Sequence, residues 1–278
     1  IIMCKSLAMA GMLLLSFCAY AQSFPVEENK EVLHSSMAGI GAANVLDTYL
    51  SPYNYTGTDL RVQRETMRMT KLWSGNVSHQ SMIDVNAALN KNRTGSMDEY
   101  VGGVRYSHGW FYNFADGNVV NPLERSAARW NFAAGLAATA YLGGIYIDRG
   151  GNNPAQAKAE ACVDASGMVA YDMRIGKHHL LWRYQLSVPL MGVAFSPRYG
   201  QSYYEAFGLG NYDRNVVFAH VGNMPSMRHR VTLDIPVKRH VLRVGYVGQF
   251  CQSTFNQLKY HSYTHDFMVG FTKYLYRR

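Results

Sequence analysis

Between residues 155 and 175 the sequence alternates with a period of two along its whole length. The odd positions run Ala155, Ala157, Ala159, Ala161, Val163, Ala165, Gly167, Val169, Tyr171, Met173 and Ile175, with no charge among them. The even positions include Lys158, Glu160, Asp164, Asp172 and Arg174. Successive strand residues face opposite sides, so this pattern describes one long strand with a different solvent on each face. Asn153-Pro154 before the run also reads as a helix start, which makes a short helix there the competing expectation.

The alternation recurs. Val77, Ile83, Val85, Ala87 and Leu89 oppose Ser78, Gln80, Asp84 and Asn86. Leu180, Trp182, Tyr184, Leu186 and Val188 oppose Arg183, Gln185 and Ser187. Met227, Val231, Leu233 and Ile235 oppose Arg228, Arg230, Thr232 and Asp234. Ten strands are expected, at 32–46, 58–72, 75–90, 97–114, 125–142, 157–175, 178–194, 226–237, 240–254 and 260–276. Their length exceeds the ~5–6 residues of a globular strand and meets the ~9–11 needed to cross a bilayer. The expected fold is therefore all-β, an antiparallel up-and-down transmembrane β-barrel of about ten strands. A further pair hidden around Val216-Val217-Phe218 would make twelve. A soluble lipocalin-like barrel with its apolar face inward is the alternative.

The first residues carry an address. Lys5 is the only charge before Glu27, an apolar run spans Leu7 to Tyr20, and Ala19-Tyr20-Ala21 fits a cleavage signal. A run of about 14 residues is too short to span. Residues 1–21 thus read as a secretory signal peptide cleaved after Ala21, 22–30 as a periplasmic lead-in, and 31–278 as the barrel. Outer-membrane localisation follows, with the lipid bilayer as partner and other envelope proteins as further candidates. The net charge of +8 is scattered and has no basic cluster interleaved with aromatics, which argues against nucleic acid. Cys162 and Cys251 would remain after cleavage, and spacing alone does not say whether they pair.

With the N-terminus in the periplasm, tight turns at Trp73-Ser74-Gly75, Ile175-Gly176-Lys177 and Lys238-Arg239-His240 fall on the periplasmic side. Longer connections at 47–57, 91–96, 143–156 and 195–225 fall outside, the asymmetry of bacterial barrels. A medium connection at 115–124 is the exception. Parity then sends Asp84, Arg105, Arg129, Lys158, Glu160, Asp164, Asp172, Arg174, Arg183, Arg228, Arg230, Asp234, Arg243 and Asp266 into the lumen. Charges of both signs in a barrel this narrow predict a hydrogen-bonded, ion-paired plug.

The segments Leu46–Gly57 (LDTYLSPYNYTG) and Phe195–Phe207 (FSPRYGQSYYEAF) resemble an uncharacterised family of exported outer-membrane β-barrel proteins from Gram-negative bacteria. That resemblance implies place and fold over residues 31–278, and no activity or catalytic residue.

Among possible catalytic groups, His79 and Ser81 share the lipid-facing parity and are similar to the His-x-Ser of outer-membrane phospholipases. There the Ser would be an acyl-transfer nucleophile activated by the His. That family follows the Ser with Asn-Gly, whereas Met82-Ile83 follow here. Non-enzymatic function is the expectation. Ser202, Tyr203, Tyr204 and Glu205 in the longest external loop are candidates for ligand or partner contact, the other reading being a loop folded into the barrel mouth and held by its tyrosines. The adjacent His178 and His179 point to opposite faces of a strand and have no partner at ligand spacing, so no metal or other cofactor is expected. The expected role is structural, scaffolding or binding through external loops. A barrel hydrolase acting on lipid, a narrow solute channel and a soluble exported lipid binder are the alternatives.

Overall fold

The computed structural model describes residues 32–120, 130–149, 153–175, 178–237 and 240–275. The proposed signal peptide and lead-in lie outside the described residues. Eleven strands follow in chain order: β1 Val32–Asp47, β2 Tyr55–Met69, β3 Val77–Asn92, β4 Asp98–Asn113, β5 Trp130–Ile147, β6 Ala155–Ile175, β7 His178–Phe195, β8 Val216–His220, β9 Met227–Val237, β10 His240–Phe255 and β11 Leu258–Leu275. Each neighbouring pair is antiparallel, β1 pairs with β11, and β6 pairs with β7, so the sheet closes on itself.

The wall has ten places. Strand β8 adds none: it pairs with the upper part of β7 at Met191–Phe195, while β9 pairs with the lower part at Leu181–Ser187. The two short strands share one place, interrupted by 221–226, and the twelve-strand alternative is not realised. Nor is the helix at Pro154, because β6 begins at Ala155 and runs 21 residues. The alternating residues outvoted the local start signal because both flanking strands offer ladders along that length. Opposite Val163 and Asp164 the register shifts, leaving Leu190 as an extra residue on β7. The bulge accommodates Pro189, which has no amide to give the ladder.

The faces sort as the alternation demands. Ile83, Leu89, Val104, Leu136, Leu142, Phe267 and Phe271 stand exposed on the outside, and most charged strand residues point in, with Arg64 and Arg68 on β2 among the exceptions. This is the opposite of the lipocalin-like arrangement, in which the apolar face points inward. At the end bearing the β2–β3 and β4–β5 connections (the turn end), an aromatic belt includes Trp73 beside Tyr112 at 5.8 Å and Trp130 beside Tyr171 at 4.3 Å and Trp182 at 6.4 Å. Tyr100 and Tyr146 pair at 6.2 Å near the opposite, loop end. Rings with one polar edge suit a membrane–water boundary.

The β2–β3 turn places Trp73 and Ser74 at φ 49° and 57°, and the two-residue β10–β11 hairpin places Asn256 and Gln257 at 48° and 67°. In the two-residue β10–β11 hairpin, positive φ at both central residues is the geometry that matches the strand twist, whereas the β2–β3 connection runs over residues 70–76 and is longer than the tight turn expected there. That hairpin lies at the loop end, where only longer connections were expected. Strands β9 and β10 meet through 238–239, and β6 and β7 through 176–177, both outside the described residues.

Candidate functional site

Side chains fill the lumen in tiers. The floor, at the turn end, is apolar: Leu33, Met67, Met69, Phe111, Met168, Ala170 and Leu181 pack on Val119 and Val120. The latter belong to the described part of the β4–β5 connection, residues 114–120, which tucks inward across this end. Its polar backbone needs partners once buried. Arg183 supplies them, donating from Nη2 to the carbonyls of Val119 at 2.9 Å and Val120 at 3.2 Å. Asn118 and Asn113 side chains accept from the amides of Val120 and Val119.

Above the floor lies a first ionic tier. Glu65 receives Arg243 at 2.8 Å and is also paired with Arg230. Arg243 grips Asp234 with Nε at 2.5 Å and Nη2 at 2.7 Å. Gln80 Nε2 donates to Glu65 Oε1 and, at 3.0 Å, to Gln185 Oε1 across the lumen, and Gln185 Oε1 also accepts from Arg230 at 2.8 Å. A second tier centres on Arg61, which is fully buried. It meets Asp84 at 2.7 Å, Asp266 at 2.7 Å and Asp59 at 3.2 Å, and donates to Thr264 at 2.8 Å. Asp164 pairs with Arg228 and accepts from Thr139 at 2.7 Å. Between these groups a cavity of about 40 Å³ has room for a few waters. Towards the loop end Arg105 faces Glu160 at 4.0 Å and lies over the Tyr141 ring at 4.6 Å. Lys158 joins Asp47 at 2.8 Å and covers Tyr260 at 3.8 Å.

Of the expected lumenal charges, Asp84, Arg105, Lys158, Glu160, Asp164, Arg183, Arg228, Arg230, Asp234, Arg243 and Asp266 stand in these tiers. Asp172 is half-buried. Arg129 and the side chain of Arg174 lie outside what is described. Sequence reasoning missed Asp47, Asp59, Arg61, Glu65 and Glu99, all buried. The odd positions of 59–65 read Asp, Arg, Gln, Glu, which is a lumen face. Arg64 and Arg68 on the opposite face of β2 hid it. Cys162 and Cys251 are both free thiols.

The loop end is covered by residues 196–215, folded over the rim. Ser202 and Glu205 form a reciprocal cap on the helical turn Tyr204–Gly208: the Ser202 amide donates to Glu205 Oε2 at 2.7 Å, and the Glu205 amide to Ser202 Oγ at 3.1 Å. Tyr203 turns inward and accepts from the Ala157 amide at 2.7 Å. That contact covers the stretch of β6 above Glu160, where β7 no longer pairs. Its ring stands edge-on to Tyr49 at 5.9 Å and stacks with Phe207 at 5.9 Å. Tyr49 Oη donates to the Gln201 carbonyl at 2.9 Å, and Asn256 Nδ2 reaches the carbonyls of Ser196 and Arg214, both at 3.1 Å. Burial pushes the Tyr49 hydroxyl up to about 12, assisted by the nearby Tyr203, Asp47 and Glu205. Burial likewise raises Tyr203. Three of the four candidate loop residues thus build the cap. Tyr204 is 71% exposed and forms an outer edge with Tyr199 at 73% and Tyr212 at 66%.

On the outer wall, His79 and Ser81 are not brought together as nucleophile and base. His79 Nε2 lies 3.2 Å from a ring nitrogen of His108, and Ser81 Oγ donates to Tyr106 Oη at 3.2 Å. Among the described residues no carboxylate orients either imidazole, and His79 is held by His108. Among the described residues no three His, Cys, Asp or Glu side chains converge on a metal position.

The structure is similar to that of the outer membrane protease OmpT from Escherichia coli, at 6% identity and TM-score 0.49, covering 91% of this chain and 99% of that one. It is also similar to the translocator domain of the autotransporter NalP from Neisseria meningitidis, at 9% identity and TM-score 0.38, covering 96% and 97%. An outer membrane channel from Pseudomonas putida F1 matches at 8% identity and TM-score 0.38, covering 91% and 100%. Among curated proteins no sequence matches this one. The family model of a protein of unknown function, DUF3316, matches residues 7–278, and the chain belongs to that family.

Proposed function

We propose that this protein is an integral outer-membrane barrel with a sealed lumen that works through its external cap, as a scaffold or as the binding surface for a ligand or envelope partner. The observation that carries this reading is the combination of a lumen blocked in tiers and an ordered cap with an exposed aromatic edge. The apolar outward faces and the aromatic belt favour residence in a bilayer. The two-residue links between β6 and β7 and between β9 and β10 at one end, against the long 196–226 region at the other, favour a periplasmic turn end with the 196–226 region outside. A solute channel is disfavoured because opening the lumen would unpair several buried charges together.

Purified protein in planar bilayers, after a boiled-versus-unboiled gel shift has established folding, is expected to give no sustained conductance steps. Regular steps in folded protein would overturn the sealed-lumen reading. The cap is tested by complementation. A triple Tyr199→Ser, Tyr204→Ser, Tyr212→Ser variant keeps the hydrogen-bonded frame. It is expected to reach the outer membrane yet fail to restore the envelope phenotype of a strain lacking the chain. Full rescue by that variant would remove the cap edge from the function.

A further inference from the structure

Near the turn end the outward faces of β1–β4 carry a polar band where a barrel wall should be apolar. Register places His34, Thr66, Ser81 and His108 in one row across four strands, with Arg68 beside His79 below and Arg64 beside Ser36 above. Two residues further along, the wall is apolar again at Ala38, Val62, Val85 and Val104. Arg64 is five residues from the turn end of β2 at Met69. With a rise of about 3.3 Å per residue and a tilt near 40°, that is roughly 12 Å into the wall.

Neither Arg64 nor Arg68 has a hydrogen bond or ion pair among the described residues, although His34 Nδ1 meets Thr66 Oγ1 at 3.1 Å beside them. The lumen arginines are paired with carboxylates or backbone carbonyls, so the two on the outside are the exception. A guanidinium facing hydrocarbon needs an anion. A second copy of this chain offers none at this level. Among the described residues the outward strand positions carry no carboxylate except Asp98, which sits at the opposite end and pairs with Lys91 at 3.5 Å.

We infer that the Arg64–Arg68 face of β1–β4 binds the phosphate headgroup of an anionic phospholipid from the periplasmic leaflet. The two guanidinium groups supply bidentate donors to phosphate, and the neighbouring hydroxyls of Ser36 and Thr66 supply further ones. The long arginine stems reach down towards the headgroup level while the apolar rows above receive the acyl chains. A zwitterionic headgroup brings its own ammonium close to two fixed cations and is the poorer fit. This inference rests on the bilayer placement proposed above.

Trp110 reports on the site, standing 5.5 Å from His79 and 4.6 Å from His108 by ring centroids. A variant with Trp73, Trp130 and Trp182 replaced by Phe leaves Trp110 as the sole indole. In bilayers, quenching by brominated phosphatidylglycerol is compared with quenching by brominated phosphatidylcholine at equal mole fraction. The anionic lipid is expected to associate about fivefold more strongly, the preference one basic residue confers near anionic lipid. Arg64→Gln with Arg68→Gln is expected to abolish the preference, and Arg64→Lys to retain it. Equal quenching by both lipids, a preference that survives the double substitution, or weak quenching by either lipid because protein covers Trp110 would each overturn the inference. Loss of the gel shift in bilayers would instead strike the membrane placement itself.

Discussion

At the scale of single residues, Arg61 shows how a narrow lumen tolerates charge. Its guanidinium pairs with three carboxylates from β2, β3 and β11, and all four groups are buried. Gly41 lies opposite both Asp59 and Asp266. A Cβ there would collide with the His265 carbonyl and stand 2.5 Å from Asp266 Oδ1, so glycine is what lets the carboxylates crowd together. Removing the cation leaves three buried acids facing one another. Arg61→Met is expected to lose about 3–5 kcal/mol, the typical loss when one partner of a buried ion pair is taken away. A urea-unfolding midpoint equal to that of the wild type would show that water reaches this tier and screens it.

At the scale of elements, the cap is a small hydrogen-bonded unit laid over the rim, and its hold on the barrel has a pH limit. The Tyr49 hydroxyl donates to the Gln201 carbonyl, so only the protonated phenol can make that bond. Its folded value of about 12 lies above the ordinary 10.0. The folded state therefore holds the proton more tightly, and the stabilisation is fully present below pH 10. It is lost as pH rises towards 12. The difference in phenolate absorbance between wild type and Tyr49→Phe is expected to titrate near the upper value. A midpoint at the ordinary value would mean that Tyr49 is free of the cap. The floor is held by a guanidinium in place of a phenol: Arg183 ties down the 117–120 segment through the carbonyls of Val119 and Val120.

At the scale of the whole molecule, closure makes inside and outside separate solvents. Cys162 and Cys251 stand free on the lumen side, between the ionic tiers and the cap. An impermeant maleimide is expected to spare the peptides bearing both thiols in folded protein and to label both after boiling, as read by mass spectrometry. Rapid labelling of the folded barrel from either side would reveal a water path through the tiers. The outer surface is uneven in the complementary way, with apolar rows and an aromatic belt interrupted by the polar field on β1–β4.

The sequence by itself determined the class of fold, because period-two alternation over strands this long leaves few alternatives, and parity assigned most lumenal charges before any coordinate was known. It marked Val216–Phe218 as strand-like but not its partner, since whether β8 widens the barrel or doubles β9 depends on which stretch of β7 is left unpaired. Parity failed on β2, where Arg64 and Arg68 put charge on both faces and alternation alone cannot rank them. It was equally silent on Ser202, Tyr203 and Glu205, whose polar groups suit a binding loop and a self-capped turn alike. Only tertiary structure decided those cases. Burial, the ladder partners of each strand and the distance between charges are properties of residues far apart in the chain, and local pattern carries no information about them.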